Sequence, residues 1–174
     1  MRFCAVIALC ILAGCGNNHS ARLEVPPAMP EQGLEKFTVS ETREGKPNWV
    51  LEAASAQILE KQKRVLMQKP EIKFYQKGEF SSTLTAKNGR INTDTYDIWA
   101  DGDCELKTVK GETLTTKNMV YTSSTSKVST NEFVRIERPD EVIEGVGMEA
   151  SPNLEDITIK KQRVVMKDDK KAAN

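Results

Sequence analysis

The chain has one histidine, four cysteines and two tryptophans among 174 residues, and aromatic side chains amount to 6 %. These scarcities exclude whole classes of chemistry. The single histidine, His19, lies in a polar, proline-containing stretch, so no Ser-His-Asp set can be assembled. No Cys/His cluster that could hold zinc is present, and no glycine-rich loop of the phosphate-binding kind. Charge of one sign is missing as well. The 25 Lys and Arg are matched by 25 Asp and Glu, evenly mixed, without the basic stripe that nucleic-acid binding needs. The longest apolar run, Phe3–Ala13, is shorter than the roughly 20 residues of a membrane-spanning helix. Asp94, Asp97, Asp101 and Asp103 form a loose acidic group, which reads as solvated turn and bend residues before it reads as a weak cation site. The expectation is a non-catalytic protein without cofactor or metal.

The chain opens with an export signal. Met1-Arg2 supplies a positive charge, Phe3–Ala13 an apolar segment, and Leu12-Ala13-Gly14-Cys15 small residues before a cut site. Leu-Ala-Gly-Cys resembles the lipobox of bacterial lipoproteins. Residues 1–14 are then cleaved, and Cys15 becomes the lipid-carrying N-terminus. The alternatives are an ordinary signal cut elsewhere, or a short uncleaved anchor. Several acyl chains hold a protein on a membrane where one does so only marginally, so stable attachment is expected. Gly16 leaves the choice of membrane open. Cys4 and Cys10 depart with the signal. Cys104 remains without a disulfide partner and is expected to be a small buried apolar residue.

Removing the signal leaves 160 residues, enough for one domain. Residues 15–34, with Pro26, Pro27 and Pro30, read as a lipidated tether, 35–166 as the folded body and 167–174 as a charged tail. The body alternates with period two. Phe37–Ser40, Asn48–Ala53, Glu71–Tyr75, Ser82–Ala86, Thr113–Tyr121, Lys127–Thr130, Phe133–Glu137 and Asp156–Lys160 are short, rich in Thr, Val and Ile, and bounded by turn residues. That is the signature of antiparallel sheet. Leu51–Leu66 has helix-compatible composition.

An internal repeat decides in favour of strand there. Shifted by 30 residues, Leu84-Thr85-Ala86-Lys87-Asn88 falls on Leu114-Thr115-Thr116-Lys117-Asn118, Ile98 on Val128 and Cys104 on Val134. Shifted by 33, Leu51-Glu52-Ala53 falls on Leu84-Thr85-Ala86. Each copy cannot bury its apolar face alone, so stacked copies share a core. Thr93-Asp94-Thr95 and Ser123-Ser124-Thr125 are expected hairpin tips. Asp101-Gly102, whose repeat counterpart is Asn131-Glu132, is expected to bend a continuing strand.

Gly111, Leu114-Thr115-Thr116, Tyr121, Val128-Ser129-Thr130-Asn131, Val134-Arg135-Ile136 and Gly145-Val146-Gly147-Met148 together resemble the LptC family, over roughly residues 35–160. The resemblance implies an all-β fold, a V-shaped β-jellyroll of two antiparallel sheets. It also implies a periplasmic role: taking lipopolysaccharide from an inner-membrane ABC transporter and passing it to a jellyroll bridge protein, acyl chains in an apolar groove. The family's best-known members keep a transmembrane helix where this chain has the lipobox, so helix-mediated regulation of the transporter is in doubt. Tethering is not, and the transport reading favours the inner membrane.

Alternation and repeat position nominate Trp49, Leu51, Ile58, Ile72, Phe74, Leu84, Ile91, Ile98, Cys104, Leu106, Leu114, Tyr121, Val128, Val134, Ile136 and Met148 as groove residues. Periodicity says which side they face, and leaves open whether the space between sheets is a groove or a filled core. Sheet edges are a recognised mode of association. Phe37 and Val39 mark the edge expected to meet the transporter, Ile157 and Ile159 the edge expected to meet the bridge protein, guarded by Lys160, Lys161 and Arg163. The alternative function is a scaffold lipoprotein of the envelope that binds proteins and carries no lipid.

Overall fold

The structure, a computed structural model, describes residues 32–166. The expected signal, Cys15, the tether before Gln32 and the tail after Met166 lie outside the described residues. Threonines and β-branched residues in period-two runs produce eleven strands in one continuous antiparallel sheet. They are β1 (Gln32–Arg43), β2 (Lys46–Leu59), β3 (Arg64–Gln68), β4 (Glu71–Gln76), β5 (Glu79–Thr85) and β6 (Asn88–Asn92), then β7 (Ile98–Thr108), β8 (Thr113–Thr122), β9 (Lys127–Glu137), β10 (Glu141–Ala150) and β11 (Ile157–Met166). The Leu51–Leu66 window is strand, interrupted only by a short 3-10 turn at Glu60–Gln62. β1 begins at Gln32, inside the stretch assigned above to the tether.

A crease turns this sheet into two layers. β2 pairs with β4 along Trp49–Glu52 and with β3 along Ser55–Leu59. β7 forks in the same way, to β6 along Ile98–Asp101 and to β5 along Glu105–Thr108. Between the forks the chain crosses at Lys69-Pro70 and Ala86-Lys87, where the Lys69 N–H donates to the Lys87 carbonyl at 2.8 Å and the Lys87 N–H to the Gly102 carbonyl at 2.9 Å. On the long strands the same line is a series of bulges: Asp101 to Cys104 on β7, Thr116 to Val120 on β8, and Val146 to Met148 on β10. Bulges bend a strand and locally raise its twist.

Residue choice follows this line. Lys36, Lys69, Gly102, Asp103 and Gly147 on it all have positive φ, and the last glycine sits at +74°, where a side chain is disfavoured. Asp101-Gly102 therefore bends a continuing strand, as the repeat predicted, and β9 runs on through Asn131-Glu132. Where the β8–β9 ladder breaks, side chains replace it. Thr116 Oγ1 donates to the Phe133 carbonyl at 2.9 Å, and Asn118 contacts Glu132 and Thr130 at 3.3 Å.

Folding along the crease makes a V. One layer holds the β4–β5 arm and the halves of the long strands that include Leu106, Leu114, Val134 and Ile143. The other holds the β3–β6 arm and the halves that include Ile98, Tyr121, Val128 and Ala150. The 30-residue repeat is one up-and-down pair of such strands. The apolar faces meet between the layers as a single core.

Candidate functional site

The candidate site is the space between the two layers. Of the nominated groove residues, all but Ile58 are buried there, and Ile58 packs against them half-buried. The interior is filled: Trp49, Leu51, Ile72, Leu106, Leu114, Val128, Val134 and Ile136 are each 0 % exposed. Ala56, Met67, Ala100, Met119, Ala150 and Leu154 join them, although alternation did not nominate them. Each bulge resets the alternation, so Met119 faces inward in phase with Tyr121 and out of phase with Thr116 on the same strand.

The apolar interior reaches both free edges. Phe37 and Val39 on β1, and Ile157 and Ile159 on β11, pack against the core while partly exposed. One inner register row starts at the β1 edge and crosses most of the sheet. Val39 pairs with Leu51, which leads through Ile72 and Leu84 to Leu106, Leu114 and Ile136. Open clefts lie elsewhere. One of about 670 Å³ runs along Gly33, Leu34, Ala56, Gln57, Leu66 and Asn88, with apolar and polar groups both on its wall.

The mouth of the V, opposite the crease, is closed by polar side chains. Arg43 on β1 donates to Ser126 Oγ at 2.9 Å and Ser123 Oγ at 3.1 Å at the tip between β8 and β9. Its guanidinium also meets Glu41 Oε1 at 3.2 Å, and Ser123 Oγ donates to that oxygen at 3.1 Å. Asn48 donates to Glu41 and, at 3.1 Å, to the Tyr121 hydroxyl. Burial works to raise the Glu41 carboxyl. The Asn48 amide, the Arg43 charge and the Ser123 hydroxyl outweigh it and hold the group below its ordinary value, so Glu41 is ionised at neutral pH. Behind these groups the Phe74 and Tyr121 rings meet across the layers at 5.0 Å. A pocket of about 210 Å³ opens beside them, lined by Asn48, Ser126 and Asn153. Burial also pushes the Tyr121 phenol up.

Among the described residues two buried side-chain polar atoms have no hydrogen-bond partner, Trp49 Nε1 and Ser82 Oγ. They lie on one register row, Glu41–Trp49–Phe74–Ser82, that crosses the strands from the β1 edge at the mouth end of the layer. Cys104 is buried at the bend of β7. Burial first, then the charges of Asp101 and Asp103, push its thiol up to about 12, which leaves almost no thiolate at neutral pH. The acidic group is spent locally. Asp97 accepts the Ser123 N–H at 2.9 Å, and Asp103 pairs with Lys87 at 2.6 Å.

No curated protein sequence matches this chain. A similar fold is found in the crystal structure of LptH, the LptA-homologous periplasmic component of the conserved lipopolysaccharide transport device from Pseudomonas aeruginosa. That likeness has a TM-score of 0.51 at 12 % identity, over 68 % of this chain and 93 % of that one. The chain also matches, over residues 3–165, the family described as lipopolysaccharide-assembly, LptC-related. The creased, two-layered sheet around one apolar interior is thus the body of a chain that belongs to the LptC-related family of lipopolysaccharide-assembly proteins.

Proposed function

We propose that this chain is a membrane-anchored periplasmic component of lipopolysaccharide export. It receives lipopolysaccharide from an inner-membrane ABC transporter and passes it to a periplasmic jellyroll bridge protein. Acyl chains lie between the two layers, and the sugar headgroup stays outside. The lipid on Cys15 takes the place of a membrane helix and holds the body near the transporter. Phe37 and Val39 face the transporter, and Ile157 and Ile159 face the bridge protein.

The observation that carries this reading is the apolar interior running without interruption from one free sheet edge to the other. A lipid needs such a path and needs no reactive group along it, because the transporter supplies the energy. Burial of acyl chains is worth about 0.8 kcal/mol per methylene, so a dry, two-sided interior is the natural seat for them. The alternative, a scaffold that binds only proteins, is favoured by one observation: the interior is filled in the closed fold. Purification from native membranes separates the two. The transport reading expects lipid A to accompany the protein in near-stoichiometric amount. A scaffold keeps its protein partners and carries no lipid A.

A further inference from the structure

We infer that Glu41, Arg43, Ser123 and Ser126 form a releasable clasp across the mouth of the V, and that its opening admits an acyl chain to the interior. The inference rests on the lipid-transport reading for the identity of what enters, and on geometry alone for the clasp.

Glu41 and Arg43 lie at the mouth end of one layer, and Ser123 and Ser126 at the mouth end of the other. Among the described residues β1 shares a backbone ladder with β2 alone. The link from β1 to the β8–β9 tip is therefore made by side chains, from residues about eighty positions apart. The crease at the other end is covalent and laddered. Farther along the mouth Asn153 donates to Gln76 at 2.7 Å and Lys110 pairs with Glu155 at 2.7 Å, so a V fixed at its crease and released at the clasp opens at the β1 end of the mouth.

The composition of the link suits release. Arg43 keeps 43 % of its side chain exposed and Glu41 18 %. A partly exposed ion pair with hydroxyl partners contributes little to stability, since water replaces its contacts readily. A permanent seal would bury apolar groups instead. The row behind the clasp is also the least satisfied part of the interior, for it holds the unpartnered Trp49 Nε1 and Ser82 Oγ. Such groups are costly while closed and gain partners when water or a polar ester of a lipid reaches them. Glu41 is the register partner of Trp49, so losing the clasp exposes that indole first.

The two tryptophans make this measurable. Trp99→Phe keeps an aromatic face beneath Arg90, which sits 4.7 Å from the ring centroid, and leaves Trp49 as the sole indole. In that background Arg43→Ala and Glu41→Ala are expected to raise acrylamide quenching of Trp49 several-fold in the absence of denaturant. The urea midpoint moves little, and Arg43→Lys falls between parent and Arg43→Ala. Trp49 remaining as shielded as in the parent overturns the clasp, as does quenching that rises only with global unfolding. Purified lipopolysaccharide is then added to each protein. Faster uptake by Arg43→Ala supports the gate, and equal uptake rates despite an exposed Trp49 overturn it. Raised quenching with no uptake by parent or variant leaves the clasp standing and overturns the lipid reading.

Discussion

Gly145→Ala is expected to strip the C-terminal strand from the sheet. A Cβ at Gly145 would overlap Ile159 Cγ2 and come within 2.5 Å of the Lys161 carbonyl oxygen, both on β11. The carbonyl is backbone and cannot rotate aside, so β11 must move. Overpacking of this kind costs typically about 1–3 kcal/mol, and here the cost falls on one edge strand. Gly145 pairs with Val134 on one side and Gln162 on the other, so the defect sits in the middle of the β10–β11 ladder. Hydrogen exchange is the measurement. Amides from Ile157 to Met166 should lose protection while β7, β8 and β9 keep theirs. Capture of the bridge protein should fall with that protection. Truncation after Asn153 should abolish capture outright, but it also removes the buried Leu154. Gly145→Ala keeps that residue and is the cleaner variant. Full protection of β11, or capture retained by both variants, contradicts the edge assignment.

The second large effect concerns Trp49. Trp49 is fully buried and borders Leu51 and Phe74 within the shared core. Trp49→Ala should cost about 3–5 kcal/mol, a large part of the roughly 5–15 kcal/mol that holds a domain folded. For a domain of this size that lowers Tm by on the order of 10 °C. Trp49→Phe should cost far less. The indole N–H has no partner to lose, and a phenyl ring keeps most of the apolar contact. Thermal unfolding of the two variants checks this. Equal losses in both contradict the account, because they mean that the phenyl ring recovers none of the apolar contact.

How far these features were legible in the sequence differs from one to the next. Alternation and the repeat located most of the strands, though not β10, turned the helix-compatible Leu51–Leu66 window into strand through the 33-residue shift, and placed a bend at Asp101-Gly102. They did so because burial on one face of a sheet writes itself into every second residue. The crease was only partly legible. Gly102 was visible as a bend, yet the line joining it to Lys69, Lys87 and Gly147 exists only once the strands are paired. Without that line the phase reset at each bulge is invisible, which is why Met119 was missed. The clasp was not legible at all. Glu41 and Arg43 look like any charged hairpin end, and Ser123-Ser124-Thr125 like any polar tip. Nothing in local pattern says that two tips about eighty residues apart will meet.

The Phe37, Val39, Ile157 and Ile159 positions show the same division. The sequence marked them as edge positions, and the structure adds that they pack against the core there while partly exposed. Family membership supplies the lipid that such an interior would carry. The filled core and the polar mouth add a requirement that alternation could not express: the layers must part before anything enters.

Photo-crosslinking in cells tests the account most directly. A photoreactive residue at Ile91, Tyr121 or Val134, each buried between the layers, should capture lipopolysaccharide. The same probe at the outward-facing Phe133 or Val146, 53 % and 44 % exposed, should not. Capture at the outward positions alone, or at none of the inward ones, contradicts the proposal that lipid travels between the layers.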